Sequence, residues 1–404
     1  MSSTLIQNAT VVLPDSIAEG THLLVRDGAI ESIGCDYDVP SDHRLDACGA
    51  FLLPGIIDLH TDALESEITP RPGANFPLDV AFQEIDTKMV ACGITTVYHS
   101  LHLGYDAATK SSKSKYQRAE VIEKAWQFGK DFARANSKIH LRFEVSGIHS
   151  LETLETLIES GYIDLLSFMD HTPGQGQYPD HLFIKTRREE GHTEAEAMRE
   201  LEKRKVRPKA SAAQIAALAR KAQERGIPVA SHDDHLPKKV RENHALGFSI
   251  SEFPINLETA RQATDLGMHV LGGASNILRG GSLTGNLCMA DAVRAGVLSG
   301  LCSDYYPPSI LHSAFKLNQG GDLSLPEAIR MATLNPAKAA GIDHATGSIE
   351  VGKAADIIIV ETRELRPRVP HSLVQGHCVY ASPNPRSAAS PSSAPCFPQA
   401  NERR

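Results

Sequence analysis

The chain has 404 residues, a formal net charge of −8 and a hydrophobic fraction of 41%. This length suits one barrel of roughly 250 residues with a smaller companion, and the acidic charge argues against nucleic acid or an anionic membrane as the main partner. No stretch approaches the roughly 20 uncharged apolar residues that cross a bilayer. The seven cysteines are scattered without a Cys-x-x-Cys pair, which favours a reducing, cytoplasmic compartment over a disulfide framework.

The first 50 residues carry short β patterns. Thr10–Leu13 is predicted to form one strand. The runs His22–Val25 and Ala29–Ile33 are separated by Asp27 and Gly28, and Asp-Gly between apolar runs is a strong hairpin signal. We therefore expect a small antiparallel unit at this end of the chain.

From Pro54 onward, strands alternate with longer helical segments, a pattern typical of a parallel sheet. The clearest unit is the helical run Ser211–Arg225, with Gly226 placed as its C-terminal cap before the next strand. We count eight such strands over the segment Ile56–Asp304. Eight parallel strands predict an α/β fold, a (β/α)8 TIM-like barrel with functional side chains at the carboxyl ends of its strands.

The two chain ends are expected to form one small β-sandwich domain beside the barrel. Residues 1–53 supply its first part, residues 54–342 form the barrel, and residues 343–380 return to β patterning and complete the small domain. Within the barrel segment, residues 324–341 are predicted to be helical. Residues 381–404 are rich in Pro, Ser and Ala, so we expect a disordered tail.

Ligand-capable side chains end several of the predicted barrel strands. His60 and Asp62 are two residues apart, so on a strand their side chains leave the same face. Hydrogen bonding at the rim would explain any one of these residues, but their number favours a metal site of imidazoles and carboxylates, suited to Zn, Mn, Fe or Co. The predicted ligands are His60, Asp62, Glu144, His232 and Glu252.

Asp304 ends the last predicted strand in a polar turn and is the candidate for proton transfer. A divalent ion lowers the pKa of its water to about 7, and a nearby carboxylate can take and return the proton. The sequence leaves open whether one or two ions bind and whether Glu144 bridges them. Glu252 is either a ligand or a group that orients His232.

Four features occur together along the chain: the Pro-Gly opening that ends in His60-x-Asp62, His232 after the fifth strand, Asp304 after the eighth, and the closing run Gly347–Asp356. Together they resemble the amidohydrolase superfamily, which implies a metal-dependent (β/α)8 barrel with a split β-sandwich domain. Further motifs resemble its phosphonate-metabolism branch. They lie at residues 69–73, 169–175, 231–235, 251–254, 276–282 and 303–307.

The resemblance implies hydrolysis of the 5-triphosphate of α-D-ribose 1-methylphosphonate 5-triphosphate to the 5-phosphate and diphosphate, in phosphonate catabolism. A triphosphate requires cationic side chains and closely approaching backbone amides. An arginine follows the first strand and another follows the seventh. A glycine pair comes directly after the arginine that follows the seventh strand. The predicted substrate-binding residues are Arg71, His171, His235, Arg279, Gly280 and Gly281.

The chain departs from the branch at three places. Leu283 stands where the branch carries a histidine, His99 stands where it tends to an acidic residue, and the run His344–Thr346 replaces a late Asp-Arg-Gly turn. The first two departures leave the metal ligands intact and bear on substrate choice. His99 and His102 either add ligation or are satisfied by neighbouring hydrogen bonds.

Two other functions fit the same fold. One is a hydrolase or deaminase that cleaves a C–N bond of a cyclic amide or nucleobase-like substrate, and the other is a non-catalytic scaffold stabilised by metal. Arg71, Arg279 and the glycine pair favour phosphate over a neutral ring, and Asp304 argues against a scaffold, which needs no proton acceptor. The expected partner is a small phosphorylated ribose phosphonate. Oligomeric state stays open, with a homodimer as one alternative.

Overall fold

The structure is a computed structural model that describes residues 2–71, 73–104, 117–174, 176, 179–282, 285–364 and 366–382. Its strands in chain order are β1 (Ser3–Val12), β2 (Ile17–Arg26), β3 (Ala29–Ile33), β4 (His43–Asp46), β5 (Phe51–Pro54), β6 (Ile56–Thr61), β7 (Ile94–Leu103), β8 (Asn136–Glu144), β9 (Leu165–Met169), β10 (Val229–His232), β11 (Ile250–Glu252), β12 (His269–Gly273), β13 (Gly300–Cys302), β14 (Ile357–Arg363), β15 (Arg366–Val374) and β16 (His377–Ala381).

The helices connect and surround these strands. They are α1 (Ala63–Ile68), α2 (Leu78–Ala91), α3 (Arg118–Asp131), α4 (Leu151–Ser160), α5 (Asp180–Glu189), α6 (Glu194–Lys205), α7 (Ala212–Glu224), α8 (Pro237–Ala245), α9 (Leu257–Asp265), α10 (Ala274–Arg279), α11 (Met289–Arg294), α12 (Ser309–Gln319), α13 (Leu325–Arg330) and α14 (Leu334–Ala339). Within the described part of the chain, no helix is long and apolar enough to span a membrane.

The eight strands β6 to β13 are parallel and pair in chain order. The circle closes between β6 and the turn after β13, because Asp304 donates its amide to the His60 carbonyl at 3.0 Å, and its own carbonyl accepts the Asp62 amide at 2.6 Å. The predicted (β/α)8 barrel is therefore confirmed. Its closure brings the first and last strand ends into direct contact.

The second sheet is built from both chain ends, as predicted. Its order is β16-β15-β14-β5-β1-β2-β3, with β4 paired to β1. The hairpin between β2 and β3 turns at Asp27 and Gly28, whose φ angles of 48° and 84° are those a tight two-residue turn requires. The proposed tail at residues 381–404 lies outside the described residues from residue 383 onward, while Ala381 ends β16.

Three apolar clusters hold the fold together. The largest packs the barrel strands against the surrounding helices, and a second fills the small sheet domain. The third lies inside the barrel, where Ile57, Leu59 and Tyr98 meet Ala337 and Ala339 of α14. Helix α14 therefore closes the barrel at the end opposite the polar strand termini.

One helix prediction was wrong in detail. The segment 324–341 forms two helices, α13 and α14, where the sequence pattern indicated one. Ser324 caps the first helix in a capping box with Glu327, as expected for a Ser-x-x-Glu start. The break falls at Thr333, because Pro336 has no amide to continue the helical hydrogen-bond pattern.

Gly55 joins the small sheet to the barrel at a position with no room for a side chain. A Cβ there would lie 2.0 Å from Oγ1 and 2.4 Å from Cγ2 of Thr95. We expect Gly55→Ala to lower the free energy of unfolding by about 1–3 kcal/mol through overpacking, measured by urea denaturation.

Thr95→Ala is the matched control for this prediction. Its Oγ1 is buried and has no hydrogen-bond partner among the described residues, so the single change should cost little. In the Gly55→Ala background, the same change should recover part of the loss, because it removes the two closest atoms. Additive effects of the two substitutions would contradict the clash.

Candidate metal centre

The carboxyl ends of the barrel strands gather a cluster of imidazoles and carboxylates. His60 lies near the end of β6, while His232 and Glu252 end β10 and β11 and face each other in register. Asp304 forms the closing contact with the end of β6, and Asp62 directly follows β6. Three groups of these side chains have ligand atoms within 4.8 Å of one another. They are His60, His140 and Glu252; His171, His232 and Asp233; and His60, Asp62 and Asp304.

Glu252 contacts two stacked imidazoles through its two carboxylate oxygens. The rings of His60 and His232 are 5.4 Å apart and inclined by 15°. Glu252 Oε1 is 3.3 Å from Nδ1 of His60, and its Oε2 is 3.4 Å from Nδ1 of His232. An imidazole that donates Nδ1–H to a carboxylate keeps the lone pair of Nε2 for a metal. Of the two predicted roles for Glu252, this geometry favours orientation of the histidines.

Glu144 and His171 form a second carboxylate–imidazole pair beside this stack. Glu144 Oε2 lies 2.9 Å from Nδ1 of His171. The Nε2 atom of His171 lies 3.7 Å from Oδ2 of Asp233, and that oxygen is 3.5 Å from Nε2 of His232. His171, predicted to bind substrate, is therefore also a candidate ligand, and Glu144 lies behind it.

Asp233 is a candidate ligand that sequence reasoning missed. Its backbone φ of 55° turns the chain directly after β10, and Asp234 supports the turn by accepting hydrogen bonds from Ser231 and Asn243. The Ser-His-Asp-Asp-His run was visible in the sequence. Strand alternation alone cannot show which of its two aspartates faces the centre, because the strand ends at His232.

Arg142 contacts two of these three groups. They are the group of His60, Asp62 and Asp304 and the group of His171, His232 and Asp233. It lies on β8 two residues before Glu144, so both side chains face the barrel interior. Its side chain is 11% exposed and donates to Asp62 Oδ1 at 2.6 Å. Its second terminal nitrogen lies 3.2 Å from Nε2 of His232. The alternation His140-x-Arg142-x-Glu144 was the available sequence signal for this buried cation.

His140 has both ring nitrogens engaged inside the barrel. Its Nδ1 lies 3.0 Å from the Leu59 carbonyl, and its Nε2 lies 2.9 Å from Oγ of Ser167. Burial lowers its pKa to about 3, so the ring is neutral at pH 7. Although His140 belongs to one of the three groups, these contacts make it a poorer ligand than its neighbours.

Comparisons with known proteins identify the family of the chain. Residues 183–386 match the model of the Amidohydrolase family. The chain is also 34% identical over 388 residues to alpha-D-ribose 1-methylphosphonate 5-triphosphate diphosphatase of Escherichia coli strain K12, a match that covers 93% of this chain and 100% of that protein. The chain belongs to the amidohydrolase family.

Two further proteins share less sequence identity with the chain. An imidazolonepropionase of Pseudomonas entomophila is 26% identical over 85% of this chain and 88% of its own length. Among solved structures, an L-hydantoinase of Arthrobacter aurescens has a TM-score of 0.64 at 16% identity and covers 94% of this chain and 96% of its own. That structural likeness supports the fold alone.

The electrostatics of this amidohydrolase suit a divalent cation. Burial, followed by the charge of Arg142, lowers the pKa values of His60 and His232 well below 6.5, so both imidazoles are neutral. Burial raises the pKa of Glu252 well above 4.5. Neutral imidazoles beside carboxylates are a donor set that binds zinc and similar metals, so the residues present fit the metal that the family implies.

Asp304 faces a cleft that borders the cluster. The cleft has a volume of about 190 Å³, and its lining includes Asp233, Asp304, Tyr305, Asn276 and Arg279. Burial and then the charge of Asp62 raise the pKa of Asp304 to about 7. The cleft therefore offers a proton acceptor and a cation to the same small molecule.

Four of the predicted substrate-binding residues remain to be located: Arg71, His235, Gly280 and Gly281. Arg71 is exposed in the turn after α1, where it bridges to Ala74 through the backbone. His235 is half-buried, and its carbonyl accepts from Asn256. The amides of Gly280 and Gly281 both donate to the carbonyl of Asn276 and end α10. These hydrogen bonds do not support the predicted contact of the two amides with phosphate.

The departures from the branch have different outcomes. His99 lines a small cavity with Phe82, Ile85 and Phe128 between the barrel and its helices, and burial lowers its pKa to about 4. It therefore faces away from the cluster, which argues against added ligation by His99. The His102 amide donates to Glu65 at 3.3 Å. Leu283 lies outside the described residues.

Asp58 fixes the strand ends that carry the centre. This buried carboxylate accepts the amide of Ser303 at 3.0 Å and its hydroxyl at 2.6 Å. Burial raises its pKa to about 7, and the hydrogen bonds from Ser303 offset part of the shift. Asp304, the next residue, adopts φ 62°, so the position of its side chain depends on this anchor.

The raised pKa of Asp58 predicts a pH dependence of stability. The unfolded carboxyl ionises near 3.8, whereas the folded one stays protonated to about 7. Its contribution to stability is fully present below the unfolded pKa and is lost as pH rises through the folded pKa. Relative to Asp58→Asn, the wild-type free energy of unfolding should fall by up to about 1.4 kcal/mol per pH unit between these values. Urea titrations from pH 4 to 8 measure this, and parallel curves would contradict it.

Proposed function

We propose that this amidohydrolase cleaves the 5-triphosphate of α-D-ribose 1-methylphosphonate 5-triphosphate, giving the 5-phosphate and diphosphate in phosphonate catabolism. One observation carries the proposal: the Escherichia coli relative named for this activity is 34% identical over 93% of this chain and 100% of its own length. The six described cysteines are free thiols, which supports a cytoplasmic location for the reaction.

The proposed reaction consumes one water molecule. A bond forms between the water oxygen and phosphorus, the bond to the departing phosphate oxygen breaks, and the water loses a proton. Both the incoming and the departing oxygen carry negative charge, so positioned cations stabilise the transition state. The site must therefore supply a proton acceptor, cations and an orientation for the triphosphate.

A divalent ion would be held by side chains that converge at the strand ends. We propose zinc, with manganese, iron or cobalt as alternatives. When bound, the ion supplies Lewis acidity that makes a water molecule easier to deprotonate. The candidate ligands are His60, Asp62, His171, His232 and Asp233, with Glu144 and Glu252 holding the imidazoles.

Asp304 is the proposed proton acceptor. Its carboxylate borders both the cluster and the cleft, and its pKa of about 7 suits a group that takes and returns a proton near neutral pH. A bound divalent cation would lower this pKa by favouring the carboxylate. The ionised form would then prevail at pH 7.

Arg279 is the proposed phosphate-binding residue of the cleft. It ends α10, and its exposed side chain lines the same cleft as Asp304. A guanidinium can contact two phosphate oxygens at once. The side chains of Ser282 and Asn286 line the cleft beside it and add polar contacts.

A C–N hydrolase is the second candidate function. The imidazolonepropionase relative, at 26% identity over most of both chains, favours it, and the same barrel can support either chemistry. The exposed arginine in the cleft distinguishes the two, because a neutral cyclic amide offers no charge for it to bind.

Asp304→Asn tests the proton-transfer role. Loss of the acceptor should lower kcat by roughly 10²- to 10⁴-fold, the usual contribution of general acid–base catalysis. Diphosphate release from the ribose phosphonate triphosphate measures the rate, with nucleoside triphosphates and a dihydroorotate-like amide as comparators. Metal content is measured in parallel, because Asp304 also belongs to one of the three groups of possible ligands, and the rates are compared at equal metal content. A correctly metallated wild type that releases no diphosphate from any triphosphate would contradict the proposed function.

Arg279→Gln tests the phosphate contact. Charge-assisted hydrogen bonds contribute about 1.5–3 kcal/mol, so kcat/KM for the triphosphate should fall roughly 10- to 100-fold. Arg294→Gln is the matched control, because Arg294 pairs with Asp291 and Asp322 at the surface and is absent from the cleft lining. Equal losses in the two variants would exclude a specific role for Arg279.

A further inference from the structure

Arg142 contacts one possible ligand atom in each of two groups of the cluster. One of its terminal nitrogens donates to Asp62 Oδ1 at 2.6 Å, and Asp62 groups with His60 and Asp304. The other lies 3.2 Å from Nε2 of His232, which groups with His171 and Asp233. We refer to these as the Asp62 group and the Asp233 group.

The two contacts of Arg142 differ in whether the accepting group keeps a lone pair that can bind a metal. A guanidinium only donates hydrogen bonds, so Nε2 of His232 must be the acceptor. An imidazole nitrogen has one lone pair, and that lone pair cannot serve Arg142 and a metal at once. The carboxylate of Asp62 has about four lone-pair positions on two oxygens, so it can accept from Arg142 and still bind an ion.

The other ring nitrogen of His232 offers no substitute. Its Nδ1 lies 3.4 Å from Oε2 of Glu252, in a buried contact that fixes the ring orientation. An ion that uses His232 must therefore take Nε2 and displace the guanidinium from it. No comparable displacement is needed for an ion held by His60, Asp62 and Asp304.

We propose that Arg142 makes the two groups unequal: the Asp62 group binds the first divalent ion, and the Asp233 group binds a second only after Arg142 releases His232. This rests on the metal centre of the proposed function and adds a residue that sets the order of binding.

Zinc titration of the metal-free wild type is the first test. Isothermal titration with elemental analysis should show one tight equivalent, and a second that requires at least tenfold higher free zinc. Two equivalents of equal affinity would overturn the proposal. Because this measurement uses the wild-type protein, it does not depend on whether a variant folds.

Arg142→Met tests the residue itself. It removes the donors and the charge while keeping an extended side chain, so the second equivalent should tighten at least tenfold while the first is retained. An unchanged second equivalent would overturn the proposal. Arg118→Met is the control, since Arg118 pairs with Glu65 rather than with either group, and its binding curve should match the wild type.

Asp233→Asn in the Arg142→Met background locates the added ion. It should abolish the tightened second equivalent and leave the first, whereas loss of the first equivalent would overturn the assignment. These measurements need no substrate. Two unequal equivalents in a protein that releases no diphosphate would therefore overturn the proposed function and leave the role of Arg142 standing.

Discussion

The closure of the barrel between β6 and the turn after β13 is the contact on which the candidate centre depends. Asp58 accepts two hydrogen bonds from Ser303, a residue 245 positions later in the chain. Backbone bonds from Asp304 to His60 and from Asp62 to Asp304 complete the joint. Without it, His60 and Asp304 would end strands at opposite edges of an open sheet. The same contact that completes the fold therefore assembles its chemistry.

Closure also concentrates charge in a place where water has little access. Carboxylates from five strand ends meet there, and their mutual repulsion and desolvation oppose folding. Neutral imidazoles, the guanidinium of Arg142 and the donors of Ser303 offset this cost. The centre is thus held by polar contacts of specific geometry, as expected where function requires a locally unfavourable arrangement.

Much of the fold could be predicted because its signals are local. Strand alternation, the Asp27-Gly28 turn and the helix end at Gly226 each depend on a few neighbouring residues, and all have the expected structure. The count of eight strands then indicated a barrel, and the polar residues that end several of them indicated the side of it that carries His60, Asp62 and Asp304.

The remaining features depend on contacts that sequence order does not reveal. In the sequence, Arg142 is one charged residue of a predicted strand. Its role depends on contacts with Asp62 and His232, which are 80 and 90 positions away. The glycine pair after α10 resembled a phosphate turn, but its amides close a helix. His99 was assigned to the rim from its place at a presumed strand end, whereas β7 continues to Leu103 and turns the ring outward.

The position of β5 in the small sheet has a consequence for synthesis of the chain. This strand lies between β1 and β14, and its antiparallel partner runs from Ile357. A growing chain that has already formed the barrel strands still exposes an apolar, unpaired edge at Phe51–Pro54 until the final segment emerges. Open edges of this kind pair readily with other chains. The last strands to be synthesised therefore protect the edge of β5 against association with other chains during translation.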